Sequence, residues 1–207
     1  MLRTDGWAAG LRLSLATRVG GSRAGMAVQS QTRRHLFDYL ASEVLAQMPG
    51  ELQSFLLRSA VLPELTTSRC ARLLALPAAQ ASRLLSEIER RGLFVSTLDG
   101  PELTLRLHDL FRDFLDDQLE RRHGAELPEL LRRAAAEEPD MVRAVGWLAR
   151  AGAWDEAARR VVAQGPALIV FGGISSLSHT LALFPPAQFE AEPELQLLRA
   201  LVAFMRF

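Results

Sequence analysis

Apolar residues recur along most of this chain at three- and four-residue steps, the period of amphipathic helices. Residues 6–17 predict a short helix carrying Trp7, Leu11, Leu13 and Leu15. From Arg18 to about Arg34 the pattern gives way to Gly, Ser, Arg and Gln, and this segment reads as a linker. Helical spacing resumes with Leu36, Phe37, Tyr39, Leu40, Val44 and Leu45, and Pro49 and Gly50 are expected to stop that helix. Leu52, Phe55, Leu56 and Ser59 place the next helix over Glu51 to Val61. Thr66, Thr67 and Ser68 offer N-caps for a third, running to about Leu76. A fourth spans Gln80 to Arg91, turns Leu84, Leu85 and Ile88 inward and ends at Gly92.

The pattern then switches to a period of two. Leu93 to Leu98 and Leu103 to His108 alternate, and Asp99, Gly100 and Pro101 between them predict a hairpin. A long helix from His108 to His123 follows directly. Several helices, a hairpin and a further helix are the outline of a winged-helix domain, placed at residues 35–123.

Beyond Gly124 the helical period returns, in Leu127 to Ala136, Met141 to Ala151 and Trp154 to Ala163. One helix ends at Gly152 and its partner opens with Asp155 and Glu156 at the favourable end of its dipole. Ala157 and Ala158 permit close approach of paired helices. Such hairpins are tetratricopeptide-like, although so few units do not establish a period. Another helix is expected over Ile174 to Leu183, closed by Pro185 and Pro186, and a last one from Pro193. It ends in an apolar run with no polar cap, so residues 124–207 are expected to be a truncated superhelix. The predicted fold class is mostly α, a winged helix followed by tetratricopeptide-like helical hairpins.

Composition narrows the chemistry. All 24 basic residues are arginine and asparagine is absent, a bias of GC-rich bacterial genes. Without lysine the chain carries neither a phosphate-loop ammonium nor a Schiff-base amine. Its one cysteine, Cys70, excludes an intrachain disulfide and reads as a buried structural thiol. The formal net charge is zero, which gives no overall electrostatic footprint for nucleic acid or anionic lipid. No uncharged stretch reaches the roughly 18 apolar residues of a membrane span, and the cytosol is the expected location.

Three segments together resemble the MalT-like STAND regulators of the LuxR family. Gly6-Trp-Ala-Ala-Gly-Leu11 is similar to the last motif of their nucleotide-binding module, so residues 1–17 read as its remnant and 18–34 as the linker. The wider pattern has a proline where this chain has Ala8. His35-Leu-Phe-Asp-Tyr-Leu-Ala-Ser-Glu-Val-Leu45 and Phe55-Leu-Leu-Arg-Ser-Ala-Val-Leu62 resemble the start of their winged helix. Leu84 to Val95 and Leu107-His-Asp-Leu-Phe-Arg-Asp-Phe-Leu115 complete it. The resemblance implies an ATP-dependent transcription regulator in which the winged helix joins a nucleotide-binding module to a helical superhelix. That superhelix senses a small-molecule or protein inducer.

His108-Asp109 resembles the Met-His-Asp motif of such switches, with Leu107 in place of methionine. The implied role of His108 is to bond the β-phosphate of ADP, with Asp109 capping the helix and fixing the ring. By spacing alone, Asp109 is ordinary helix punctuation and His108 a structural residue; the resemblance reverses this for His108. The chain itself is expected to hold no cofactor, ADP or ATP belonging to the intact regulator.

Three other functions compete. A DNA-reading winged helix would use the fourth helix, with Gln80, Arg83, Arg90 and Arg91, but Glu87 and Glu89 offset the charge and a solvated face is the better account. Ser175 with His179 suggests a hydrolase, yet the strand–turn–helix context of a nucleophile elbow is missing, and Ser175 reads as a helix cap. Asp116, Asp117, Glu137 and Glu138 read as solvated faces, so the chain is not expected to be an enzyme. A stand-alone interaction module would place Arg132, Arg133, Arg159 and Arg160 against an acidic or phosphorylated partner.

Overall fold

Helical periodicity governs the structure, a computed structural model that describes residues 37–92 and 94–205. The predicted helix at 6–17, the linker, His35, Leu36 and Leu93 lie outside the described residues. The chain divides into two compact units, Met1–Pro49 and Gly50–Phe207. The described part of the first is helix α1, residues 37–46, followed by a turn. Gly50, expected to stop this helix, is instead the first residue of α2 (Gly50–Ser59).

The second unit opens with α2 and then a short strand that periodicity does not reveal, β1 (Leu65–Thr66). It is only two residues long, too short for an alternating signature. It exists because Leu65 pairs with Leu105 across an antiparallel ladder and both are fully buried. Thr66 ends β1 and also caps α3 (Thr67–Leu74), its Oγ1 accepting from the Arg69 N–H at 3.2 Å. That helix stops two residues before the expected Leu76. Ala75 takes the left-handed conformation at φ 52° and the Leu76 N–H turns back to the Ala71 carbonyl. Next, α4 (Ala78–Arg91) buries Leu84, Leu85 and Ile88 as expected and closes on Gly92 at φ 61°.

The hairpin forms from β2 (Val95–Leu98) and β3 (Thr104–Leu107), in the register Val95↔Leu107 to Leu98↔Thr104. The sheet order is β1-β3-β2. Leu105 and Leu107 point inward while Arg106 faces out, the alternation that a one-sided sheet requires. The following α5 (Asp109–His123) seats Phe111, Phe114, Leu115 and Leu119 against the domain core. The Phe111 ring lies 4.9 Å from that of Phe94. A mostly helical chain with a three-stranded antiparallel sheet and a winged helix is thus observed.

The helices α6 (Leu127–Ala136), α7 (Met141–Arg150), α8 (Trp154–Val170) and α9 (Ile174–Leu181) follow, then α10 (Pro186–Ala191) and α11 (Pro193–Met205). Helix α6 packs on α7, α7 on α8 and α8 on α9, while α7 with α9, α8 with α11 and α9 with α11 also meet. Ala157 and Ala158 are fully buried, as expected for a close approach. The helix from Trp154 runs seven residues past its expected end, through Pro166. Packing overrides propensity there. Gly165 lets α8 close on its neighbours, since a Cβ would stand 3.0 Å from Leu198 Cδ1 and 3.3 Å from Leu177 Cδ1. Pro186 opens α10 instead of only closing the helix before it, a proline being compatible with the first helical turn. No helix of the described residues is long and apolar enough to cross a membrane.

Candidate functional site

The β3–α5 junction places His108 and Asp109 on the surface, both exposed. The His108 backbone N–H donates to the Phe94 carbonyl at 2.8 Å, which continues the β2–β3 pairing by one step. Phe94 holds a positive φ of 56°, rare for an aromatic residue, while its ring packs on Phe111. This junction is therefore held tightly from below. His108 itself occupies the N-cap position of α5, and its carbonyl accepts from the Phe111 and Arg112 N–H groups.

The expected capping by Asp109 is corrected, because Asp109 is the first residue inside the helix. Its carboxylate sits 3.7 Å from Arg112 Nη1, at the end of the helix where negative charge is favoured. Arg112 is anchored in turn to the Pro63 carbonyl at 2.9 Å. The α5 N-terminus carries no side-chain cap bond, so an imidazole and helix N–H groups share one exposed corner. Donors of this kind suit a phosphate oxygen.

A second locus lies where the winged helix meets the helices after Gly124. Glu138, between α6 and α7, is only 2% exposed. Arg69 from α3 reaches its carboxylate at 2.5 Å, Arg143 from α7 at 3.3 Å and the Asp140 N–H at 3.2 Å. The Glu138 backbone carbonyl accepts from Arg160 of α8, which also donates to the Ala135 carbonyl at 2.8 Å. One buried carboxylate thereby ties together α3, α7 and, through its own backbone, α8.

Flanking pairs cross the same junction. Arg58 of α2 meets Glu126 at 3.0 Å, Arg72 of α3 meets Glu137 at 2.9 Å, and Arg150 of α7 meets Asp116 and Glu120 of α5 at 2.8 and 2.5 Å. The reading of Glu138 as part of a solvated face is overturned by its burial and Asp116 is half-buried, whereas Glu137 and Asp117 are exposed as expected. Consecutive acids say nothing about burial; only the fold brings Arg69, 69 residues away, onto Glu138. Available signals were the arginines one turn apart on α3, Arg69 and Arg72, and the adjacent Glu137 and Glu138.

The competing constellations resolve differently. On α4, Arg83 and Gln80 both bind Glu51, at 2.6 and 2.9 Å, and Arg90 and Arg91 both bind Glu87. These bonds satisfy inside the molecule the groups that a DNA-reading helix would direct outward. Ser175 and His179 both lie exposed in α9, and the cap of that helix is Gly173, not Ser175. Cys70 is fully buried, as expected, and burial pushes its thiol up to about 12. Of the four arginines considered for an acidic partner, Arg132 is paired with Glu156 and Arg133 with Glu129, while Arg160 holds two carbonyls.

Comparison with known proteins bears on the same region. The family model of the MalT winged helix domain matches residues 41–127. The HTH-type transcriptional regulator MalT of Yersinia enterocolitica (serotype O:8, biotype 1B) is 32% identical over 96% of this chain. Proteins of the same description from Yersinia pestis and Yersinia pseudotuberculosis match to the same extent. The chain spans 23% of the length of these curated relatives. With its winged helix matched in place and its similarity running on through the helices that follow, the chain belongs to the MalT-like regulators.

Proposed function

We propose that this chain is the coupling segment of an ATP-dependent, MalT-like transcription regulator of the STAND class, acting in the cytosol. Its winged helix transmits the state of a nucleotide-binding module to a tetratricopeptide-like sensor superhelix. The segments proposed for these roles are 1–17 as the end of the nucleotide module, 18–34 as linker, 35–123 as winged helix and 124–207 as superhelix. No catalysis and no direct DNA contact are assigned to it.

The single observation that carries this reading is the buried Glu138 carboxylate held by Arg69. The pair resists separation of α3 from the α6–α7 turn, because pulling Arg69 away would leave the buried Glu138 charge less well compensated. Such a pair makes a displacement of α3 felt at α7 and α8. At the other end of the winged helix, His108 and the start of α5 are the groups that would meet an ADP phosphate. The nucleotide supplies the charged switch; this chain supplies the donors and the rigid β3–α5 corner.

Calorimetry with ADP and magnesium tests the reading, using this chain, a separately produced nucleotide-binding module, and their mixture. The expected result is no binding by this chain, and tighter binding by the mixture than by the module. His108→Ala abolishes that gain. Tight ADP binding by this chain alone would overturn the proposal, as would a mixture indistinguishable from the module.

A further inference from the structure

We propose that the cleft between α6, α7 and α8 binds a small organic anion, one bearing a phosphate or carboxylate group on a short apolar body. The cleft is an open groove of about 310 Å³, at the lower end of the range of small-molecule sites. Arg132, Arg159 and Arg160 line it against one carboxylate, Glu156, and Ala135 and Leu148 add apolar surface. Two guanidinium groups without a carboxylate partner line this one groove. Arg58, Arg69, Arg72, Arg83, Arg143 and Arg150 are all ion-paired, and Arg132 is paired with Glu156 at 3.3 Å. Among the described residues Arg121, Arg122, Arg159, Arg160 and Arg199 are ion-paired to no carboxylate, and of these Arg159 and Arg160 line the cleft.

Arg160 gives Nη1 to the Ala135 carbonyl and Nη2 to the Glu138 carbonyl. Two neutral acceptors fix its guanidinium in place without cancelling its charge. Arg159 is exposed beside it. Asp155, one turn earlier on α8, is exposed and makes no ion pair with Arg159 among the described residues. Three guanidinium groups against one carboxylate leave an excess of positive charge over a partly apolar surface. Guanidinium forks match carboxylate and phosphate oxygens in geometry as well as charge. Because Arg160 also grips Glu138, an occupant would press on the junction with the winged helix. That consequence rests on the coupling reading above, whereas binding itself does not.

The whole chain is titrated with phenyl phosphate, inorganic phosphate and acetate at constant ionic strength, following thermal unfolding and the Nε–H resonances of arginine. A saturable rise in Tm is expected, largest for phenyl phosphate and smallest for acetate, since a ligand of the native state stabilises it by mass action. Arg159→Glu weakens phenyl phosphate at least tenfold, with circular dichroism unchanged because the residue is exposed. Arg122→Glu, on the exposed side of α5, leaves binding as it was. Absence of a saturable shift would overturn the proposal, as would equal weakening by Arg122→Glu, which signals diffuse attraction. Failure of the coupling reading shows elsewhere, in the calorimetry with the nucleotide-binding module.

Discussion

Arg69 and Glu138 lie 69 residues apart in sequence and 2.5 Å apart in space. Their side chains are 21% and 2% exposed, so the pair sits where water screens it little. Removing one partner of a buried pair costs about 3–5 kcal/mol, because the other charge stays desolvated. Arg143 remains on Glu138 after Arg69→Met. The expected loss for Arg69→Met is therefore near the lower end, about 3 kcal/mol. Urea denaturation of Arg69→Met, Glu138→Gln and the double variant is expected to give a double loss clearly smaller than the sum. Strict additivity would remove the pair from the coupling argument.

The neighbouring Arg72–Glu137 pair crosses the same junction at 2.9 Å but in a different environment, each side chain being about half exposed. Exposed pairs contribute roughly 0–1 kcal/mol. Arg72→Ala is expected to shift the urea midpoint by less than a third of the Arg69→Met shift. Comparable shifts would show that burial is not what separates the two contacts.

Arg58 supplies the pH dependence of the same junction. Its guanidinium, hydrogen-bonded to Glu126, holds that carboxyl below its ordinary value, with burial opposing. A depressed carboxyl adds stability that is fully present above the unfolded value of about 4.3 and is lost as pH falls through the folded value. Stability of the parent chain is expected to decline more steeply below about pH 4.3 than that of Arg58→Gln. Parallel curves from pH 7 to 3, measured by chemical denaturation, would contradict this.

Cys70 provides a probe of opening. Buried on α3 and with its thiol pushed up to about 12, it carries almost no thiolate at pH 8. An aromatic disulfide reagent at pH 8 is expected to label it only at the rate of unfolding. Labelling should accelerate in Arg69→Met, since Arg69 precedes it on α3. Rapid labelling of the native parent chain would show that α3 is accessible.

Ala75 marks a local conflict between sequence and fold. Its left-handed conformation, at φ 52°, costs an alanine roughly 1–2 kcal/mol; glycine relieves that strain, and the greater entropy of its unfolded chain offsets part of the gain. Ala75→Gly is expected to raise unfolding stability by about 0.5–1 kcal/mol. A loss of stability would mean that the Ala75 side chain contributes packing that outweighs the strain.

The sequence by itself determined the helices that carry strong three- and four-residue periods, the hairpin and the glycine stop at Gly92. Those features are written in neighbours along the chain: Leu84, Leu85 and Ile88 share one face whatever lies opposite. The motif order also pointed to the family, and it put His108 and Asp109 at the start of a helix. Tertiary structure decided what depends on distant residues. Strand β1 exists only because Leu65 finds Leu105, and α8 runs on through Pro166 where Gly165 packs closely against Leu177 and Leu198. Glu138 looked like half of a solvated acidic pair, since burial is a property of the assembled helices and not of the local string. Its role is set by Arg69, Arg143 and Arg160, which converge on it from three different helices.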